Sequence, residues 1–272
     1  MPRSSASASS ITAWSFTASP STEAAKPRPS LGPRALLRIA ALLLWLVLCL
    51  VPHLLAKALA GRSPVPPFFL KGAGWLVGAR ARAVGQPARP HSLLLANHLS
   101  WLDILVLAGT TGCAFVSKDA LGHPVIHWLA DQNQTLYVKR ENRRGAGDQA
   151  LAIAAALQRE QPVTLFPEGT VGPGDRLLPF RSTLLQAAAA AGESVTVRPV
   201  VLDYGEAATE ISWFGQDGRD NFIRILNRRG TIPVTVRLLE PIPPGDRKAM
   251  ALAAHGAIAA ALFASSPRPS RL

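Results

Sequence analysis

The stretch Ser92-Leu-Leu-Leu-Ala-Asn-His-Leu-Ser-Trp-Leu-Asp103 decides how this chain folds. Its first five residues, Ser92–Ala96, form a short apolar run, which is typical of a strand buried on both faces. A window of helical apolar spacing follows at once, from Ser100 to Thr110. A buried strand followed directly by a helix is the repeating unit of an α/β domain.

The same alternation continues to the C-terminus. The pattern predicts further strands at Ala114–Ser117, Thr135–Lys139, Val163–Phe166, Val195–Leu202 and Ile232–Leu239. It predicts further helices at Gly147–Gln158, Ser182–Ala191 and Asp246–Phe263. Strands that alternate with helices pair mostly in parallel, so we predict an α/β domain over residues 91–264, with a mixed, mostly parallel sheet flanked by helices.

The N-terminal part of the chain has a different composition. Residues 1–34 are rich in Ser, Ala, Thr and Pro and show no apolar period, and we predict that they are disordered, as is the short tail at 265–272. The stretch Ile39–Ala56 contains no Asp, Glu, Lys or Arg and has about the length of a minimal membrane span. A second helix is predicted at Phe68–Ala83. Residues 35–90 therefore read as a membrane-anchoring helical segment, either spanning or interfacial.

The charge of the chain limits its partners. Against 29 Lys and Arg stand 17 Asp and Glu, for a net charge of +12, which favours anionic lipid, an acidic carrier protein or nucleic acid. The arginines are scattered, and the pair Arg143-Arg144 lacks the interleaved aromatics that stack on bases, so we expect no nucleic acid. Cys49 and Cys113 are far apart and suggest neither a disulfide nor a metal site.

A histidine and an aspartate follow the first strand of the domain, in Asn97-His98-Leu-Ser-Trp-Leu-Asp103. On one continuous helix they would be about 140° apart, so they meet only if His98 precedes the helix and Asp103 lies in its first turn. Ser100 as the N-cap puts Asp103 at the capping-box position. Asp103 then orients one ring nitrogen of His98, and the other takes a proton from a hydroxyl. Spacing alone leaves a simple capping box as the alternative.

A second constellation follows the strand at Val163, in Phe166-Pro-Glu-Gly-Thr170. Its proline ends the strand, and Gly169 permits a backbone conformation that other residues resist. Peptide N–H groups exposed at such a turn bind an anion or a developing oxyanion. An ordinary strand-end turn is the alternative.

Together the two constellations resemble the NHxxxxD (HX4D) and FPEGT motifs of the glycerolipid acyltransferase superfamily. This superfamily includes 1-acyl-sn-glycerol-3-phosphate acyltransferases and other lysophospholipid acyltransferases. Both motifs stand in the expected order and spacing, and the resemblance covers roughly residues 68 to 240. The resemblance implies that His98 is the general base and that Asp103 orients it. The substrate-binding residues that it implies are Asn97, Ser100, Arg140, Glu168, Gly169 and Thr170.

The resemblance also implies the reaction. A fatty acyl group moves from acyl-CoA or acyl carrier protein to the free hydroxyl of a membrane lysolipid, with no metal or other cofactor. The enzyme would sit on the anionic surface of the inner membrane, its site facing the cytoplasm. Lysophosphatidic acid, giving phosphatidic acid, is the first acceptor to expect. Lyso-ornithine lipid or another lysolipid is the alternative, and an inactive lipid-binding member is a second one.

Two features bear on the choice of acceptor. Val171 stands where many lysophosphatidic-acid acyltransferases carry an arginine directly after FPEGT, so one phosphate donor is missing. The segment that follows, Gly172–Arg181, resembles a bacterial branch that includes lyso-ornithine lipid acyltransferases. Arg176 or Arg181 is the candidate for the missing positive charge.

His123 and His127 have metal-ligand spacing but no third ligand nearby, which favours packing or surface roles.

Overall fold

The computed structural model describes residues 28–118, 123–138, 153–186, 195–243 and 245–264. The predicted head-group residue Arg140 lies outside the described residues, as do the pair Arg143-Arg144, residues 1–27 of the predicted N-terminal tail, the C-terminal tail and the first part of the predicted helix Gly147–Gln158. The last two residues of the predicted N-terminal tail, at 33 and 34, belong to the first helix.

Helices and strands alternate along the described residues. The strands are β1 (Ala79–Val84), β2 (Ser92–Ala96), β3 (Ala114–Lys118), β4 (Leu136–Val138), β5 (Val163–Leu165), β6 (Thr196–Asp203) and β7 (Ile232–Leu238). The helices are α1 (Pro33–Ala60), α2 (Val65–Leu76), α3 (Leu102–Thr111), α4 (Pro124–Gln132), α5 (Ala208–Ile211), α6 (Gly218–Asn227) and α7 (Arg247–Phe263).

Within the described part of the chain, the strands form one seven-stranded sheet in the order β1-β7-β6-β2-β5-β3-β4. Every neighbouring pair is parallel except β6 and β7. Strand β2 lies at the centre, where Leu95 is in register with Leu165 of β5 and with Pro199 of β6. The predicted α/β fold with a mixed, mostly parallel sheet is confirmed.

The sheet buries apolar side chains on both of its faces. Leu94 and Ala96 of β2 belong to the core cluster that includes α3 and α6. Leu93 and Leu95 point the other way, into the cluster that includes α7. This two-sided burial is why β2 has a continuous apolar sequence instead of an alternating one.

The predicted helix Phe68–Ala83 is wrong in its second half. Helix α2 ends at Leu76, Gly78 adopts a φ of 107°, and β1 then pairs in parallel with β7. Arginine alternates with apolar residues in β1, a period-2 pattern that suits an exposed edge strand. The sheet therefore begins before residue 91, and part of the predicted membrane segment belongs to the α/β domain.

The other predicted elements are found with small shifts. The predicted strands lie within two residues of their observed ends, and the predicted C-terminal helix begins one residue later, at Arg247. The predicted helix Ser182–Ala191 begins as a 3₁₀ turn over Ser182–Leu185, and its residues from 187 onward lie outside the described part. Of the predicted helix Gly147–Gln158, residues 153–157 are described and are helical.

Helix α1 is 28 residues long, and an 18-residue window within it has a mean hydropathy of 2.5, which suffices to cross a membrane by length and composition. The helix nevertheless contacts the α/β domain near both of its ends. At one end, the Arg38 guanidinium donates to the carbonyls of Ile225 and Leu226 at the end of α6. At the other, Lys57 donates to the side chain of Gln132 in α4. Helix α1 thus lies along the domain.

Candidate active site

The ends of three adjacent parallel strands bring the motif residues together. Strand β2 leads into Asn97 and His98, β5 leads into Phe166 and Glu168, and β6 leads into Tyr204. Because the carboxyl ends of parallel strands open at the same edge of a sheet, ligands of α/β proteins bind at this edge. The two sequence motifs therefore form one site.

His98 and Asp103 form the predicted pair. The distance from His98 Nδ1 to Asp103 Oδ2 is 2.8 Å, the Asp103 side chain is fully buried, and the His98 side chain is 17% exposed. A carboxylate facing Nδ1 favours the tautomer with the proton on that nitrogen. Nε2 then carries the lone pair that accepts a proton from a substrate.

Asp103 also caps α3. Its Oδ2 accepts the backbone N–H of Leu99 at 2.6 Å and that of Ser100 at 2.9 Å. In return, Ser100 Oγ accepts the N–H of Leu102 at 3.2 Å. These are capping-box bonds, although α3 begins at Leu102 with Trp101 in the cap position, one residue later than predicted. The predicted contact with His98 and the capping box coexist, because one carboxylate caps the helix and contacts the histidine, and the catalytic role of the pair stays a prediction.

Asn97 and Ser100 bond to the protein in this structure. The Asn97 amide donates to the carbonyl of Leu202 at 3.0 Å and accepts the N–H of Leu202 at 2.8 Å, so it bridges β2 and β6. Ser100 is fully buried. Their geometry gives both residues a role in holding His98 in place, and their predicted contact with substrate stays a prediction.

Glu168 joins the two loops that border the site. Its Oε1 accepts the backbone N–H of His98 at 2.8 Å, and its Oε2 accepts that of Leu178 at 3.0 Å. The residue is only 3% exposed, and this burial raises the pKa of Glu168 to about 7, although both N–H donors act to lower it. Both oxygens are engaged with backbone, which gives Glu168 a loop-fixing role.

The turn after Glu168 is tight. Gly169 has a φ of 71°, the left-handed conformation that the sequence predicts for it. The N–H of Gly172 donates to the carbonyl of His98 at 2.6 Å, and a Cβ at Gly172 would lie 2.9 Å from Glu168 Oε2. Thr170 lies exposed on the surface of the turn. A glycine at position 172 therefore lets the loop close against the histidine.

Sequence reasoning missed two side chains that support the pair. The ring of Phe166 stacks on His98, with centroids 4.0 Å apart and planes 16° apart. The hydroxyl of Tyr204 donates to Asp103 Oδ1 at 2.5 Å. Phe166 stands inside the FPEGT motif, so its position was a signal. Tyr204 lies 101 residues beyond Asp103, and no local pattern connects the two residues.

Comparisons with known proteins show the family to which this chain belongs. The Acyltransferase family model matches residues 80–203. The lyso-ornithine lipid O-acyltransferase of Pseudomonas aeruginosa is 34% identical over 194 residues, which are 68% of this chain and 73% of that protein. The enzyme of the same name from Brucella abortus is 33% identical over 243 residues, which are 81% of this chain and 91% of that protein. This chain belongs to the glycerolipid acyltransferase superfamily.

Other relatives of this acyltransferase are named as 1-acyl-sn-glycerol-3-phosphate acyltransferases. The 1-acyl-sn-glycerol-3-phosphate acyltransferase of Neisseria meningitidis is 36% identical over 116 residues, which are 41% of this chain and 46% of that protein. The crystal structure of the 1-acyl-sn-glycerophosphate acyltransferase PlsC from Thermotoga maritima superposes with a TM-score of 0.57 at 20% identity, covering 87% of this chain and all of that one. That likeness shows a shared fold.

A cavity of about 130 Å³ adjoins the motif residues of the acyltransferase. Glu168, Tyr204 and Arg176 line it together with Phe263 at the end of α7. Of the two arginines suggested by the sequence, Arg176 reaches this cavity. Arg181 is exposed, and its backbone N–H donates to Pro167 at 2.8 Å. Of these two arginines, Arg176 therefore lies where it can contact an anionic group beside the motif residues.

The histidines with metal-ligand spacing have other roles. His123 caps α4 by accepting the N–H of Val125 at 3.2 Å. His127 faces Asp131 at 3.3 Å and stacks on Tyr137. Residues 28–118, 123–138, 153–186, 195–243 and 245–264 contain no group of three or more His, Cys, Asp or Glu side chains that could hold a metal ion. The reaction's independence of any cofactor stays a prediction.

Proposed function

We propose that this acyltransferase moves a fatty acyl group from a thioester directly to the hydroxyl of a lysolipid, with His98 as the general base. The observation that carries the proposal is the 2.8 Å contact between His98 Nδ1 and the buried Asp103 carboxylate. A buried carboxylate held in place by backbone donors orients the imidazole and stabilises the imidazolium that forms during the reaction.

In the proposed mechanism, His98 Nε2 takes the proton of the acceptor hydroxyl while that oxygen attacks the thioester carbonyl. A carbon–oxygen bond forms, and the carbonyl oxygen becomes an oxyanion. When the tetrahedral intermediate collapses, the carbon–sulfur bond breaks and the thiolate leaves. The imidazolium of His98 then returns its proton to this sulfur. No acyl-enzyme forms, because the acceptor oxygen attacks the thioester directly. Because the attacking hydroxyl belongs to the substrate, the protein supplies no nucleophile of its own.

We propose lyso-ornithine lipid as the first acceptor to test and lysophosphatidic acid as the second. The Pseudomonas and Brucella relatives named lyso-ornithine lipid O-acyltransferase align over more of this chain than the Neisseria relative does. Val171, where many lysophosphatidic-acid acyltransferases carry arginine, also supports this order. The Neisseria relative and the NHxxxxD and FPEGT motifs keep lysophosphatidic acid as the second candidate.

We propose that α1 attaches the enzyme to the inner membrane, with the site on the cytoplasmic side where acyl thioesters are made. Its large apolar side chains, such as Leu44 and Leu48, are 61% and 58% exposed. The contacts of Arg38 and Lys57 with the domain support an interfacial helix over a separate span. The donor is proposed to be acyl-CoA or acyl carrier protein, both anionic and suited to a chain of net charge +12.

The test is acyl transfer by the purified protein in detergent, with a labelled acyl thioester and either acceptor. His98→Ala is expected to lower the rate by about 100-fold to 10,000-fold, because the general base is lost. His123→Asn is the matched control: it replaces a histidine that caps α4 with another good capping residue, and full activity is expected.

The results separate the hypotheses. Transfer to lyso-ornithine lipid alone would support the first acceptor, and transfer to lysophosphatidic acid alone would replace it with the second. Full activity of a well-folded His98→Ala protein would refute the general-base role. If the wild-type enzyme acylates neither lipid, both acceptor assignments are wrong.

A further inference from the structure

Tyr204 extends the catalytic pair into a line of three hydrogen-bonded side chains. Its hydroxyl donates to Asp103 Oδ1 at 2.5 Å, while Asp103 Oδ2 faces His98 Nδ1 at 2.8 Å. Tyr204 is 2% exposed and Asp103 is fully buried. The line Tyr204–Asp103–His98 therefore begins in the core and reaches the surface at the histidine.

We propose that Tyr204 is a positioning residue that sets the basicity of His98 by acting through Asp103. This proposal rests on the proposed function, in which His98 is the general base. A hydrogen bond to a carboxylate stabilises its charged form and draws negative charge toward the donor. With the phenol in place, Asp103 attracts the His98 proton less strongly. The bond to Oδ1 also fixes the rotation of the carboxylate, so that Oδ2 stays aimed at the imidazole.

The phenol acts in its protonated form. Burial, together with the neighbouring charge of Asp103, raises the pKa of Tyr204 well above its usual value, so the hydroxyl keeps its proton. Asp103 Oδ2 already accepts from Leu99, Ser100 and His98. Within the described part of the chain, the phenol of Tyr204 is the donor bonded to Oδ1. Removing that hydroxyl leaves a buried carboxylate oxygen without its donor, which costs far more than the same loss on a surface.

A purely structural role makes a different prediction. The Tyr204 ring belongs to the core cluster on the α3 side of the sheet, and Tyr204→Phe keeps that ring. If packing alone matters, the variant should match the wild type in its pH profile. If the hydroxyl tunes the pair, both Asp103 and His98 bind protons more tightly in Tyr204→Phe. His98 works as a base only when it is neutral, so the acidic limb of the rate profile moves to higher pH.

Among the described residues, Glu168 is the further titratable group that faces the pair, because its carboxylate accepts the backbone N–H of His98 and interacts with the charges of both His98 and Asp103. It is present in both the wild type and Tyr204→Phe. A difference between their two profiles therefore reports the phenol and not the titration of Glu168.

The experiment measures kcat and KM from pH 5 to 9 for wild type, Tyr204→Phe and Tyr137→Phe, with His98→Ala as the reference. Tyr137 is the other tyrosine of the chain, and its hydroxyl donates to the carbonyl of His127 at 3.3 Å. We expect Tyr204→Phe to lower kcat at pH 7 about tenfold, the cost of one lost hydrogen bond, with KM unchanged. Its acidic limb should move up by about half a pH unit or more. Tyr137→Phe should match the wild type.

A second variant makes the opposite change, because it keeps the hydroxyl of Tyr204 and strengthens it as a hydrogen-bond donor. In the Tyr137→Phe protein, biosynthetic replacement of tyrosine by 3-fluorotyrosine changes position 204 alone. Fluorine makes the phenol a stronger donor, so the acidic limb should move to lower pH. This result stands even if Tyr204→Phe fails to fold.

The outcomes are distinguishable. Unshifted profiles in both variants, or a rise in KM with an unchanged kcat, would overturn the role of Tyr204. An active His98→Ala protein would instead overturn the proposed mechanism. If His98→Ala is inactive and both Tyr204 variants match the wild type, the mechanism stands and the phenol serves packing only.

Discussion

Two buried carboxylates contact His98, one at its ring and one at its backbone N–H, and they do different work because their donors differ. Asp103 accepts one side-chain and two backbone hydrogen bonds besides its contact with the His98 ring. Glu168 accepts two backbone N–H groups, and burial outweighs them, which raises the pKa of Glu168 to about 7. Because burial of Glu168 is not fully offset by its two donors, it favours the protonated form of that carboxyl. Asp103 thus orients the imidazole, and Glu168 ties its loop to the neighbouring loop.

The raised pKa of Glu168 predicts how stability varies with pH. The folded-state pKa lies above the unfolded value, so its contribution is complete below about pH 4.5 and is lost as pH rises through about 7. Glutamine does not titrate, so Glu168→Gln removes this pH-dependent loss of stability. We expect the free energy of unfolding, measured by urea titration, to fall by up to about 3 kcal/mol more in the wild type than in Glu168→Gln between pH 5 and pH 8.

At pH 5 the Glu168→Gln protein should be the less stable of the two by about 1–3 kcal/mol, because the glutamine NH₂ opposes one of the two backbone donors. Parallel pH dependences in the two proteins would contradict the assignment. The comparison between the variants matters because other carboxylates titrate in both.

At the scale of elements, α2 packs closely against α3, the helix that begins next to the pair of His98 and Asp103. The contact is possible because small residues face it. A Cβ at Gly109 of α3 would lie 2.6 Å from the Lys71 Cα of α2, and one at Gly74 would lie 3.5 Å from Leu105 Cβ. Backbone is therefore in direct contact with backbone at Gly109. Helices α2 and α3 therefore form one packed unit.

Gly109→Ala should destabilise the protein. The added methyl group meets backbone atoms that cannot rotate away, and such overpacking costs about 1–3 kcal/mol. Gly256→Ala in α7 is the matched control, since nothing lies within 4 Å of a Cβ built there. That change should stabilise its helix by up to about 1 kcal/mol. Denaturant titration of both proteins measures the difference, and equal stabilities would show that α2 and α3 do not pack closely in solution.

At the scale of the whole molecule, large exposed apolar side chains concentrate on three helices. Among the described residues, the largest group of them lies on α1, and others are Phe68 and Trp75 on α2 and Val125, Ile126 and Trp128 on α4. Trp45 of α1 packs against Phe68, and other side chains of α1 contact Gln132 of α4, which makes the three helices neighbours. Exposed apolar area on this scale marks a contact with membrane or protein. It supports attachment to a lipid surface through this side of the enzyme.

The double variant Leu44→Glu with Leu48→Glu should release the enzyme from membranes without unfolding it, because both side chains are more than half exposed. Placing a charged side chain in the apolar layer of a membrane is strongly unfavourable. We therefore expect the membrane-bound fraction in vesicle flotation to fall about tenfold or more. Leu252→Glu on α7 is the control, at a leucine that is 76% exposed outside these three helices. Equal flotation of both variants would contradict attachment through α1.

Particular residues show how far the sequence could be read. Strand β2 and both motifs were predictable because each depends on neighbouring residues: an apolar run, a capping box and a turn glycine. Strand β1 was mistaken for helix because its pairing with β7, 153 residues away at Ala79↔Ile232, stabilises an edge that local preference does not favour. Arg198 is buried and donates to the carbonyls of Gln86, Pro87 and Leu239, partners that no local pattern identifies.

The sequence by itself determined the α/β class, the family and the pairing of His98 with Asp103, since all three are written in short, contiguous patterns. Only the tertiary structure decided that Tyr204 completes the pair, that Phe166 lies against the histidine ring and that α1 runs along the domain. The physical reason is the order of the strands. With β2 seated between β5 and β6, residues about 70 and 100 positions apart in the chain meet at one sheet edge.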